Sequence, residues 1–517
     1  MSRYIVYLSA TCIALIMSAC GQHKPADADA AHLGSVTFDV SCNEKATPYF
    51  NQGLLLLHSF EYDDAAEAFQ SAQQADPACA MAYWGEAMTK NHPLWSAQYT
   101  DEAVEILARF GDSPEARLAK IPEGIERDLF EAVEILYGEG DKQERDQQYA
   151  AHMAVLYEAH PGHHEVAAFY ALSLLGSASD GRDEALYGKG AVIAKGILDE
   201  NPQHPGALHY LIHSYDDPGH AHLAIDAADN YAQVAPDAGH ALHMPSHIYI
   251  ALGMWDEVIA SNIAAWEAGN SRMERKELDN DARNYHALQW LMYGYLQTGD
   301  MAMARQQLDL MMKYGSELPS KRARAYMTMM RAAYLVDANT WDDSLARMAI
   351  EDEDLNVSIR SINDFIEGMT AYRAGDVAAL EGVIAQMQKQ RSEEHKRMLQ
   401  RGAAMCSGVN WTSQLPNQQD INHSHIMEME LQALHAMLTD DLHQAEMWFN
   451  QAIALDEETP FMFGPPTVVK PVPELYGEWL MARDMHAEAA VQFDKALQRA
   501  PKRRISSEYK ARIGPAG

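Results

Sequence analysis

Small, apolar and aromatic positions recur along this chain at helical spacings of three and four, and the whole set returns about every 34 residues. In residues 46–79 the set is Gly53, Ala65, Phe69, Ala72 and Pro77; in residues 470–503 it is Gly477, Ala489, Phe493, Ala496 and Pro501. Such a pattern predicts two antiparallel helices per unit. Small residues let the helices approach, the phenylalanine fills the space between them, and proline ends the second helix. Pro202 and Pro236 close units at 171–204 and 205–238, and 239–272 continues the phase. Gly299-Asp300 with Ala304, Gly375-Asp376 with Leu380, and Asp440-Asp441 with Ala445 and Phe449 mark units near 285–318, 361–394 and 426–459. Three stretches fall out of phase. Residues 96–160 are helical in pattern with insertions at Gly111–Pro122 and Gly138–Gly140, while 395–425 and Phe461–Pro473 read as long loops. Long loops inside a repeat array are often functional, although plain insertions are commoner.

The unit resembles the tetratricopeptide repeat (TPR), and the match recurs over most of the chain. The resemblance implies an all-α, TPR-like α-solenoid: a right-handed superhelix of helix-turn-helix repeats whose concave groove is lined by the first helix of each unit.

That stripe carries the candidate chemistry. His209 and His213 occupy positions 5 and 9 of the 205–238 unit, and His243 and His247 occupy positions 5 and 9 of the next. His240 and His286 take position 2 of their units, followed in the latter by Gln289 at 5 and Tyr293 at 9. Spacings of three and four place each group on one helical face. With only 23 histidines in 517 residues, filling the same slots of adjacent units by chance is improbable, which favours a site. Helices packed about 8–10 Å apart bring imidazoles within reach of one ion at about 2.0–2.1 Å. The expected metal ligands are His209, His213, His240, His243 and His247, with Asp216 as an oxygen ligand or a partner orienting a ring. Neutral imidazole suits a divalent transition metal such as zinc, copper, iron or nickel. Two other readings stand beside this one: metal-free recognition of a ligand in the groove, and plain structural hydrogen bonding. Pro245 predicts a kink or a late helix start between His243 and His247.

Other polar residues extend the expected groove. Glu165 aligns with His209 when Pro161-Gly162 is laid on Pro205-Gly206, making it a possible further ligand. Glu474 and Glu478 fill positions 5 and 9 of the last unit, as groove-edge carboxylates or a general base. Asp217, before Pro218, reads as a helix N-cap. No HExxH, GxSxG, P-loop or GxGxxG motif is present.

At the N-terminus Arg3 precedes an apolar run from Tyr4 to Met17, too short to span a bilayer and followed by Ser18-Ala19-Cys20. Met17-Ser18-Ala19-Cys20 resembles the bacterial lipobox. The resemblance implies cleavage before Cys20, lipidation of that thiol and, with Gly21 rather than Asp next, an outer-membrane lipoprotein facing the periplasm or cell surface. Cys42 and Cys79 can pair in an oxidising compartment or stand as two buried thiols, and Cys406 is left single. A formal charge of −34 argues against nucleic acid and against an anionic membrane surface, leaving the lipid as the membrane contact. The organisation reads as a signal peptide over 1–19, a lipidated cysteine and flexible tether over 20–45, and N-terminal repeats with insertions over 46–160. Central histidine-rich repeats over 161–318, C-terminal repeats over 319–503 and a tail over 504–517 follow.

Several stretches also look like a group of largely uncharacterised bacterial TPR-domain proteins. They are Ala80–Gly85, His204–His213 with Asp216-Asp217-Pro218, His240–Trp255, Gly464-Pro465-Pro466 and Glu474–Glu478. That resemblance implies the solenoid and no established activity. The leading expectation is a tethered solenoid whose groove binds a protein, peptide or small ligand with a metal at its centre. The alternatives are a metal-dependent hydrolytic or oxidative enzyme and a metal-free interaction scaffold.

Overall fold

The computed structural model describes residues 32–514, apart from 96, 179–180, 342–343 and 401–415. The signal segment, Cys20 and Cys406 lie outside them. Helices dominate, and the described strands are the two-residue pair Asn91–His92 and Ala97–Gln98, joined antiparallel.

The repeat chemistry operates as expected. Helices Thr47–His58 and Tyr62–Ala75 form the first pair, and Ala80–Met88 packs on the second of them. Phe69 is fully buried between Gly53 and Gly85; a Cβ on either glycine would come within 2.8 and 2.3 Å of its ring. Phe493 fills the same place against Gly477 in the last pair, where a Cβ would come within 2.8 Å. The chain is therefore an all-α, TPR-like solenoid.

Both ends of the array fold back onto its middle. At the N-terminal side, Lys276 Nζ donates to Asp64 at 2.6 Å and the His240 backbone N–H donates to Glu61 at 2.9 Å. At the C-terminal side, Arg503 reaches three groups: Nη1 donates to Tyr293 Oη at 2.9 Å, Nη2 to Asp337 at 2.7 Å and Nε to Glu474 at 2.9 Å. Lys470 donates to Glu474 and Glu478 at 3.0 and 2.6 Å, and Ser506 Oγ donates to Glu474 at 2.7 Å. This ionic knot, with Arg503 and Glu474 both buried, ties the last repeat to helices Tyr285–Thr298 and Lys321–Ala338.

Two expected boundaries are corrected. The tether does not run to 45. Leu33 and Phe38 are buried, the Ser35 N–H donates to Gln203 O at 2.9 Å, and the Phe38 ring stands edge-on to Phe50 and His163. Apolar residues in that segment find a surface between the first repeat and the 201–205 turn, so burial holds it. The tail over 504–517 is likewise helical across Arg504–Ile513, drawn in by the knot. Cys42 and Cys79 form a disulfide, which settles their open pairing.

Two measurements check these anchors. Burial alone would raise the Glu474 carboxyl, but Arg503 and Lys470 hold it down to about 2. A folded value below the unfolded one, about 4.3, means that this stabilisation is complete above that pH and lost as pH falls towards the folded value. Thermal melts between pH 6 and 2.5 should show a steep acid loss in the wild type and a shallower one in Glu474→Gln. That variant leaves Arg503 underpaired and should cost about 3–5 kcal/mol at neutral pH. Reducing the Cys42–Cys79 bridge, or Cys42→Ser with Cys79→Ser, should lower unfolding free energy in denaturant titrations by about 2–4 kcal/mol.

Candidate functional site

Four helices deliver six imidazoles to one place. Helix Pro205–Ser214 starts with proline in its first turn, and its first-turn Ala207 N–H donates to His204 Nδ1 at 3.2 Å. It presents His209 and His213 one turn apart. The next stretch is broken as Pro245 demands: Gly239–His243 ends, Met244 forms the joint, and Pro245–Leu252 begins. Asn284 caps Tyr285–Thr298, which carries His286.

The rings form two sets of three. His209, His213 and His240 each offer a nitrogen within 4.8 Å of the others, and so do His243, His247 and His286. His213, Asp216 and His247 form a third such group across the seam. The expected histidines are thus brought together, but as adjoining sets and not around one centre.

Hydrogen bonding fixes the tautomers of the second set. His247 Nδ1–H donates to Asp216 Oδ2 at 2.5 Å. His243 Nδ1–H donates to Asn262 Oδ1 at 2.7 Å, and the amide orientation is set because Asn262 Nδ2 donates to Val258 O. With both rings neutral, both Nε2 atoms carry lone pairs, and they face each other 3.1 Å apart. Two lone pairs at that distance repel unless a proton or a cation lies between them. With metal–nitrogen bonds of about 2.05 Å, that separation subtends about 98° at an ion, a usual ligand angle. In the first set His209 Nδ1–H donates to His58 O at 2.7 Å, and its Nε2 lies 3.2 Å from His240 Nε2. His213 Nε2 and Asp216 Oδ1 are buried and have no hydrogen-bond partner.

Burial, then the neighbouring rings, push His209, His213, His240 and His286 well below the ordinary histidine value; burial and then His286 do the same to His243. Neutral rings are the ligating form. The four repeat-register histidines are at most 5% exposed. Aromatic side chains surround them: Phe60 lies 4.2 Å from His209, Trp290 4.6 Å and Phe463 4.9 Å from His247, centroid to centroid.

The expected open groove is therefore corrected. Phe60 from the first repeat, Trp95 from the small hairpin and the Phe461–Pro473 loop fill it, because the superhelix returns both ends to the centre. What remains are cavities. One of about 230 Å³ opens on His286, lined by Trp95, Gln289, Trp290, Tyr293 and Arg322. Another of about 470 Å³ opens on His240, with Tyr62, His92 and Arg322 in its wall.

The carboxylates fall elsewhere than expected. Glu165 does not join the array; it sits between His58 and His204, accepting from their Nε2–H groups at 2.6 and 3.2 Å. His58 Nδ1 there accepts from Tyr210 Oη at 2.9 Å, so every nitrogen in that trio is satisfied without an ion. Glu474 and Glu478 belong to the Lys470–Arg503 knot and touch no histidine of the array. Tyr293 accepts from Arg503, while Gln289 donates to Met329 Sδ at 3.6 Å; both line the His286 cavity. Asp217 caps no α-helix. It accepts from the Gly219 and His220 N–H groups and pairs with Arg182.

Sequence reading missed His58, Asn262, Trp290 and Phe463. Asn262 left a signal, since asparagine is a poor choice inside a helix, here Trp255–Arg275, unless its amide is used. Gly464 left another. Its φ is +89°, and a Cβ there would come within 2.5 Å of Trp290.

No family model and no curated protein matches the chain. Among solved structures it is similar to a Rap protein complexed with competence and sporulation factor (13% identity, 81% of this chain, 99% of that one, TM-score 0.35). It is also similar to yeast Tom70 (11%, 91% and 89%, TM-score 0.32) and to Cut9 in the APC/C hetero-tetramer Cut9–Hcn1 (11%, 93% and 78%, TM-score 0.35). These are TPR proteins, and a likeness at this level says nothing of what this chain binds. Fold and site together describe a helical-repeat protein with a buried histidine array.

Gly464→Ala should force Trp290 off the second set and cost about 1–3 kcal/mol by overpacking. A melting-temperature drop with altered tryptophan fluorescence would show it; an unchanged spectrum would mean that the loop does not press on Trp290.

Proposed function

We propose that this chain is a metal-binding helical-repeat protein in which His243, His247 and His286 hold a transition-metal ion, zinc, copper, iron or nickel. A coordination position is left for a small ligand from the adjoining cavity. The observation that carries this reading is the pair of opposed Nε2 lone pairs, each enforced by an oxygen acceptor on the far side of its ring. Carboxylate- or carbonyl-oriented imidazoles of this kind are the usual outer shell of a metal ligand. A filled groove supports a small ligand over a protein or peptide one at the histidines. Arg322 donates to the Asp281 and Arg283 carbonyls at 2.9 and 3.2 Å and has no carboxylate partner among the described residues, which favours an anionic ligand.

A metal-dependent enzyme is the second reading. It is favoured by three protein ligands beside a cavity, the arrangement of catalytic more than structural zinc. Placement in the envelope rests on the sequence around Cys20; the Cys42–Cys79 bridge is in keeping with an oxidising compartment.

Protein purified without a histidine tag should carry at least one equivalent of metal by elemental analysis. His243→Ala with His247→Ala should remove the metal bound at this set. Reloading should raise the melting temperature of the stripped wild type, by about 2.7 kcal/mol of stability at a hundredfold excess over Kd. Absence of bound metal after reloading with zinc(II) and copper(II) would reject the reading.

A further inference from the structure

We infer that the array holds two metal ions side by side, the second bound by His209, His213 and His240; this rests on the reading of the first set as a metal site. The two sets share no residue. They are the same construction repeated along the solenoid. Each takes positions 5 and 9 of one unit and position 2 of the next: His209, His213 and His240, then His243, His247 and His286. The repeat operation that carries one helix onto its neighbour therefore supplies the same three slots at each junction, although the ring pair that closes most tightly within them differs between the sets.

Independent features of the first set agree. Its close nitrogen pair, His209 Nε2 and His240 Nε2, is 3.2 Å apart and spans the junction between units, while the 3.1 Å pair of the second set, His243 and His247, lies within one unit. At metal–nitrogen bonds of about 2.05 Å these correspond to about 103° and about 98° at the ion. His209 is oriented from behind by the His58 carbonyl, as His243, at the same repeat position, is by the Asn262 side-chain carbonyl. The buried His213 Nε2, with no partner, is the third donor. A buried imidazole nitrogen left unpaired is costly, and an ion removes that cost.

Access is also duplicated. Each set has two buried rings and one half-buried ring, and each half-buried ring opens on its own cavity, His240 on one and His286 on the other. The sets meet through His213 and His247, with ring centroids 5.3 Å apart. Asp216 lies at that seam with one oxygen on His247 and the other, buried Oδ1, unpartnered. A carboxylate with a free buried oxygen between two cation sites supplies negative charge to both. The trio His58, Glu165 and His204 is a control inside the same molecule: it also groups three ligand-type residues, yet its nitrogens are all used.

The test is a metal count on the untagged full chain, stripped with chelator and titrated with cobalt(II). Visible absorption reports coordination, and elemental analysis after desalting gives the stoichiometry. The expected result is two equivalents for the wild type and one each for His240→Ala and His286→Ala, all with unchanged far-UV circular dichroism. One equivalent in the wild type would overturn the second site while leaving the first intact. None would overturn the metal reading itself. Two equivalents in His240→Ala would overturn the assignment of ligands. If an alanine variant loses its fold, His240→Gln and His286→Gln serve in its place, and the wild-type count alone still decides between one ion and two.

Discussion

A buried imidazole has two nitrogens to satisfy, and that constraint organises the centre of this molecule. Where both find protein partners, as in His58 and His204, the ring is a structural cross-link. Where one nitrogen of a neutral ring donates to an oxygen, the other presents a lone pair, and the second set places two such lone pairs against one another. Asn262 and Asp216 therefore matter as much as the histidines they hold. They determine which nitrogen faces inward, and with it whether the cluster attracts a proton, a cation or nothing.

Burial comes from the way the solenoid closes. Helix pairs stacked with a constant small rotation would leave an open trough. Here Asp64 with Lys276 and Arg272 draws in the first repeat, and the Arg503 knot draws in the last. Phe60 and Phe463 arrive over the rings as a result. The long Phe461–Pro473 loop, out of phase with the repeats, supplies the inner wall of the site, and its Gly464 has the positive φ that lets it lie against Trp290. The apolar surroundings in turn favour the neutral ring at His209, His213, His240, His243 and His286.

The fold was legible because its signal is periodic. Phe69 against Gly53 follows from spacing, as does the break at Pro245. The histidine stripe was legible for the same reason, since slots in register must become neighbours. Contacts between residues 107 to 210 apart in sequence, such as His58 with Glu165, Phe60 with His209 and Arg503 with Tyr293, have no local trace. Repeat position places Glu474, and the match of Pro161-Gly162 to Pro205-Gly206 places Glu165. Their actual positions depend on which chain end lands opposite them, and a buried carboxylate goes where its cations are. The packing of Leu33 and Phe38 was hidden in the same way, because a short apolar segment reads as a linker until the surface that receives it is known.

Each three-imidazole set straddles a joint between units, taking two rings from one and the third from the next. No unit in isolation owns a complete set, so such centres belong to the junctions of the array and their number is one fewer than the run of units bearing the slots. Tandem copying of a single such segment would therefore add a whole centre, ready-made, to a chain that already has one.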